Sequence, residues 1–129
     1  MRIEIKPTSK GRPRFNMSTG RTYTPGATKD FEQEFSYKYK AAGGKFYEGY
    51  LKVKLVFAFI PPKSWSKQKQ NEALKGNIRP TKSDIDNYIK ACLDSLNKIA
   101  YEDDRYIFSV EAIKKYDTKE YIEIEIEGE

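Results

Sequence analysis

Ser83-Asp84-Ile85-Asp86-Asn87-Tyr88-Ile89-Lys90-Ala91-Cys92-Leu93-Asp94-Ser95-Leu96 decides the fold. Its apolar residues fall at 85, 88, 89, 92, 93 and 96, the spacing of one helical face, and predict a helix over 84–98. Ser83 and Asp86 have the spacing of a capping box. Asp86, Lys90 and Asp94 repeat every four residues, each step turning about 40°, so they form one polar stripe opposite the apolar face. Cys92 sits among Ile89, Leu93 and Leu96 and reads as a small core residue; as the one cysteine it excludes an intrachain disulfide.

The partner for such a helix lies upstream. Residues 50–60 alternate Lys52 and Lys54 against Leu51, Val53 and Leu55, then turn apolar on both faces. This predicts a strand that lies mid-sheet, stopped by Pro61-Pro62. Further out, 2–6 reads as a short strand and 7–26 as a long loop or irregular hairpin rich in Pro, Gly, Ser, Thr and Arg. Residues 27–42 read as a helix carrying Phe31, Phe35 and Tyr39, stopped by Gly43-Gly44. Residues 64–75 predict a polar, basic helix capped by Ser64 or Ser66 that buries little, a flap rather than a core element. Residues 106–116 and 121–127 read as strands joined by a hairpin loop at 117–120, with Ile122, Ile124 and Ile126 on one face and three glutamates on the other. The expected architecture is α/β: one domain over 1–129, with a small mixed sheet of about four strands, two main helices packed on it, and basic loops.

The 129 residues include 24 Lys and Arg, 19 Asp and Glu, and no His. Histidine-based triads, zinc sites and general bases are therefore excluded. The charge is uneven. Residues 1–82 hold 18 basic against 6 acidic side chains, a net of +12, and residues 83–129 hold 6 against 13, a net of −7. A basic part joined to an acidic part suits a protein that holds a polyanion and carries a carboxylate site, or two surfaces that complement each other. No apolar run is long enough for a membrane span, and the start lacks a signal-peptide apolar region, so a soluble cytoplasmic protein is expected.

Asp84 and Asp86 flank the helix start. Glu102-Asp103-Asp104 follows in the turn before the strand at 106, and a helix–turn–strand return could bring that turn near the helix. Taken singly, these acids also serve as helix caps, a solvated salt-bridge stripe and an exposed turn. Together, in a basic chain without histidine, three or four carboxylates with an asparagine are hard oxygen donors suited to Mg²⁺ or Mn²⁺. The segment departs from an EF-hand: counted from Asp84, loop position 6 is Ile89 rather than Gly and position 12 is Ser95 rather than Glu.

Asp84-x-Asp86-Asn87-x-x-Lys90-x-x-x-Asp94-x-Leu96, followed by Asp103-Asp104, resembles the RusA family of Holliday-junction resolvases. Lys10-Gly-Arg-Pro-Arg-Phe15 and Pro62-Lys-Ser-Trp-Ser-Lys67 are similar to its prophage branch. The resemblance runs over most of the chain. It implies a homodimeric, Mg²⁺-dependent endodeoxyribonuclease whose two sites nick opposing strands of a four-way junction. It implies metal-ligand roles for Asp84, Asp86 and Asp104, with Asp103 beside them, and an essential lysine at Lys90.

Lys10, Arg12, Arg14, Lys63, Lys67, Lys69, Arg79 and Lys82 are the expected phosphate contacts. Asn87, inside the motif, counts as a further DNA contact. Phe15, Tyr23 and above all Trp65 are candidates to wedge or stack at a branch point. Competing readings are a nuclease of flaps, forks or other branched DNA, a non-catalytic DNA-binding protein, and an interaction module that uses the acidic half.

Overall fold

The computed structural model describes residues 1–11, 14–23 and 26–129, with the backbone alone at 14–16 and 22–23. The elements run β1 (Arg2–Ile3), β2 (Arg14–Asn16), β3 (Arg21–Tyr23), α1 (Gly26–Ala41), β4 (Leu51–Phe59), α2 (Lys67–Leu74), α3 (Ile85–Ser95), a 3₁₀ turn (Asp104–Tyr106), β5 (Ile107–Tyr116) and β6 (Tyr121–Gly128). The architecture is α/β. One four-stranded mixed sheet has the order β1-β6-β4-β5, and β2 and β3 form a separate antiparallel hairpin.

β4 lies mid-sheet because both its edges are used, parallel to β5 and antiparallel to β6. A parallel neighbour requires a long crossover, and α2 and α3 supply it. Leu51, Val53, Leu55 and Phe57 of β4, with Ile122 and Ile124 of β6, form the buried face of the sheet. Phe31, Phe35 and Tyr39 of α1 and Tyr88, Ala91 and Cys92 of α3, with Leu96 just beyond, close the core over it. Phe57 and Ala58 point to opposite faces and both are fully buried, so this end of β4 is covered on both sides. The outer face carries charge instead, with Lys54 against Glu111 at 3.9 Å.

Four details differ from the sequence reading. The 2–6 strand pairs with β6 only at Arg2 and Ile3, although Ile5 is still buried. Residues 117–120 do not close a hairpin: β5 and β6 lie on either side of β4, so the loop arches over the end of β4. There the Asp117 N–H donates to the Phe59 carbonyl at 2.8 Å. Helix α3 is shorter than 84–98 and ends at Ser95.

The capping box is absent as well. Ser83 has φ +61, so it stands before the cap, and Asp84 takes the cap position with extended backbone. The basic flap behaves as expected. Ser66 caps α2 by accepting from the Lys69 N–H, and Ala73 is the one buried residue of that helix. The loop end at Thr24-Pro25 lies outside the described residues. Among the described residues no helix is long and apolar enough to cross a membrane.

Candidate active site

The first carboxylate group stands at the start of α3. Asp84 caps the helix by its backbone, and its side chain makes no cap bond. The carboxylate is therefore not spent on the helix. Asp86 follows in the first turn, exposed, at the end of the helix whose dipole favours negative charge. The approach to this point is laced down. Lys114 of β5 donates to the Ser83 carbonyl at 3.0 Å, and Arg79 donates to the Lys114 carbonyl at 3.2 Å. The Tyr88 hydroxyl donates to the Lys82 carbonyl at 2.9 Å. These ties hold Ser83 in left-handed backbone, a conformation that non-glycine residues keep only where their surroundings impose it.

The second group stands at the other end of α3. The Asp103 carboxylate accepts from the Arg105 N–H at 2.9 Å and caps the 3₁₀ turn. That N–H, more than any other contact, holds Asp103 below the usual carboxylate range. Asp104 is pushed the opposite way, first by burial and then by the neighbouring Asp103 and Asp94 carboxylates. The turn is fixed to the helix by two bonds. The Asp104 N–H donates to Asn97 Oδ1 at 2.9 Å, and the buried Tyr101 hydroxyl donates to the Leu93 carbonyl at 2.6 Å.

The acidic turn therefore does return to the helix, but at Asp94 and not at Asp84. Ten helical residues separate Asp84 from Asp94, about 15 Å at 1.5 Å per residue. Along β5 the tie at Lys114 is seven residues from Ile107, about 23 Å of strand. Among the described residues no group of three or more His, Cys, Asp or Glu side chains is arranged to hold a metal ion. The oxygen donors suit a hard cation, but one chain by itself keeps Asp84 and Asp86 apart from Asp103 and Asp104.

The cations divide into two kinds. Lys90, one turn after Asp86, is 62% exposed and 3.7 Å from Asp94. Lys63, Lys67, Arg79 and Lys82 are exposed. Lys69 is exposed too, and its ammonium lies 4.1 Å from the centre of the Trp65 ring. Lys10 differs: it is mostly buried and bonded to Glu32 at 2.8 Å, with Asp94 at 3.3 Å. Trp65 is half-buried with its ring edge-on to Tyr116, so it anchors the flap. The Asn87 carbonyl accepts from the Lys10 N–H at 2.9 Å. Arg12 lies outside the described residues, as do the side chains of Arg14, Phe15 and Tyr23.

Asp94, Asn97 and Glu32 are the site neighbours that sequence reasoning left without a role. Asp94 had a signal, its place on the Asp86–Lys90 stripe. Asn97 and Glu32 had none, because their contacts depend on how the turn and the loop fold back.

Two acid groups on a small α/β domain, edged by exposed lysines, suit a protein that works on a phosphate polyanion. The chain matches the family described as "Endodeoxyribonuclease RusA" over residues 4–127 and belongs to it. It is thus an endodeoxyribonuclease of a Holliday-junction resolvase family. It is also similar to the uncharacterized protein YqaN of Bacillus subtilis (strain 168), at 32% identity over 130 residues, covering 94% of this chain and 89% of that protein.

Proposed function

We propose that this protein resolves four-way DNA junctions by Mg²⁺-dependent hydrolysis of one phosphodiester in each of two opposing strands. The observation that carries the reading is Asp84, which caps α3 while leaving its carboxylate unused, two residues before Asp86 and six before an exposed Lys90. Family membership agrees with it. Asp84, Asp86, Asp103 and Asp104 are the proposed metal ligands, and Mn²⁺ is expected to substitute. A bound dication would supply Lewis acidity and a water of lowered pKa. Lys90, normally protonated at neutral pH, would contact the scissile phosphate. The exposed Lys63, Lys67, Arg79 and Lys82 would hold the arms through their phosphates.

The separation of the two acid groups bears on the oligomer. Paired nicks on a two-fold junction need two sites, and a C2 dimer supplies them. A second copy running antiparallel would also bring its helix start toward the acidic turn of the first, so the proposed unit is a homodimer with shared sites.

The test is to incubate the protein with a four-way junction and a matched linear duplex, with Mg²⁺ or with EDTA, and to map the nicks. Paired symmetric nicks on the junction alone, dependent on Mg²⁺, are expected. Equal cutting of both substrates would replace this reading with a general nuclease. Cutting of flaps and forks in preference to four-way junctions would move it to another branched substrate. Binding without cutting under every divalent metal would end the enzyme claim.

A further inference from the structure

Lys10 carries a charge that belongs to the basic N-terminal segment, yet its surroundings are wrong for a phosphate. Its ammonium meets Glu32 of α1 at 2.8 Å and Asp94 of α3 at 3.3 Å, and its side chain is 18% exposed. An arriving phosphate would meet two carboxylates there. The backbone adds two more ties. The Lys10 N–H donates to the Asn87 carbonyl at 2.9 Å, and the Gly11 N–H donates to the hydroxyl of the buried Thr28 at 2.9 Å. Two consecutive residues are thus bonded to both main helices, immediately before the segment that forms the β2–β3 hairpin.

We propose that Lys10 is a positioning residue, a strut that fixes the root of the basic hairpin against α3 and holds Asp94 beside the acidic turn. Two helices that pack mainly through apolar side chains are joined here by one ammonium, and Asp94 is the acid it shares with Lys90. Removing the charge would leave Glu32 facing Asp94 with the cation between them gone, and Asp94 would keep Lys90 alone, at 3.7 Å. It would also free the hairpin root to move relative to Asp104. The proposal rests on the nuclease reading above for its effect on cutting, but not for its effect on DNA binding or on local protection.

Lys10→Met, Lys10→Arg and Glu32→Gln are compared with wild type in the full-length protein. Three quantities are read: the salt dependence of junction binding, the single-turnover cutting rate at saturating junction, and hydrogen exchange at the Lys10 and Gly11 amides. Lys10→Met is expected to leave the log–log salt slope unchanged, whereas a lysine that neutralised a phosphate would flatten it by about 0.9 on removal. Its saturated rate is expected to fall on the order of tenfold, within what a misplaced support can cost, and its two amides to exchange faster. Lys10→Arg should recover most of the rate.

A flattened slope with an unchanged saturated rate would overturn the proposal, as would unchanged exchange at both amides. If Lys10→Met does not fold, Glu32→Gln decides by the same exchange readout, since it removes the shorter of the two ion pairs. If wild type cuts no branched DNA, the nuclease reading fails separately, and slope and exchange still judge the strut.

Discussion

The main-chain N–H of Asp104 donates to Asn97 Oδ1 at 2.9 Å. This bond fastens the acidic turn to the end of α3 and sets where the Asp104 carboxylate stands. Asn97→Ala is expected to cost about 1 kcal/mol, one hydrogen bond, in urea unfolding. It should slow cutting more than it weakens junction binding. An unchanged cutting rate would show that Tyr101 alone holds the turn.

The distance along α3 between the two acid groups leads to a mixing experiment. Asp84→Asn and Asp104→Asn should each abolish cutting while junction binding is retained. If the sites are shared between copies, a mixed dimer of the two variants has one site with both acids intact. Mixing should then restore single nicks to a substantial fraction of the wild-type rate, but not paired ones. No recovery after subunit exchange would place each site within one chain.

Asp104 gives a prediction for pH and stability. Burial, then Asp103 and Asp94, raise its folded-state pKa. Folding therefore costs free energy wherever the unfolded chain would ionise this group. That cost is absent below the ordinary aspartate value of about 3.9 and complete above the folded-state value. Asp104→Asn should raise the melting temperature at pH 7 in the absence of divalent metal. The gain should vanish as the pH falls below about 3.9. A variant less stable than wild type at pH 7 would contradict the assigned cause.

The α2 flap gives a prediction for DNA. Lys63, Lys67 and Lys69 project from a segment that buries little, so replacing all three with glutamine should leave folding within about 1 kcal/mol of wild type, the loss coming from the contact of Lys69 with the Trp65 ring. The log–log salt slope of junction binding should flatten by about 0.9 for each phosphate that is no longer neutralised. A slope equal to wild type would place the flap away from DNA.

Much of this was legible in residue order, for physical reasons that differ between elements. The α3 stripe was readable because its apolar residues bury against β4 at helical spacing, and β4 because lysine alternation gives way to apolar residues on both faces. Asp84 and Asp86 stood out because their spacing to Lys90 is local. The failures are all non-local. Two strands joined by four residues look like a hairpin, yet β5 and β6 pair on opposite edges of β4. The side on which a strand docks depends on the whole crossover through α2 and α3. Ser83 looked like a cap because its spacing to Asp86 is right, but a tie from Lys114, 31 residues away, holds its carbonyl. The pairing of Lys10 with Glu32 and Asp94 was not legible either, because a charge run carries no information about which acids fold against it.

The position of β4 governs the order in which this protein can form. Both strands that pair with it lie within 107–128, and β1 also pairs with β6. During synthesis the central strand therefore leaves the ribosome long before either partner exists. It waits with its apolar face and both edges open, the kind of exposed surface that favours aggregation. A chain cut before residue 121 loses the neighbour of two strands at once. Such a fragment is expected to aggregate or be degraded, because the sheet closes around β4 only once Tyr121–Gly128 has been made.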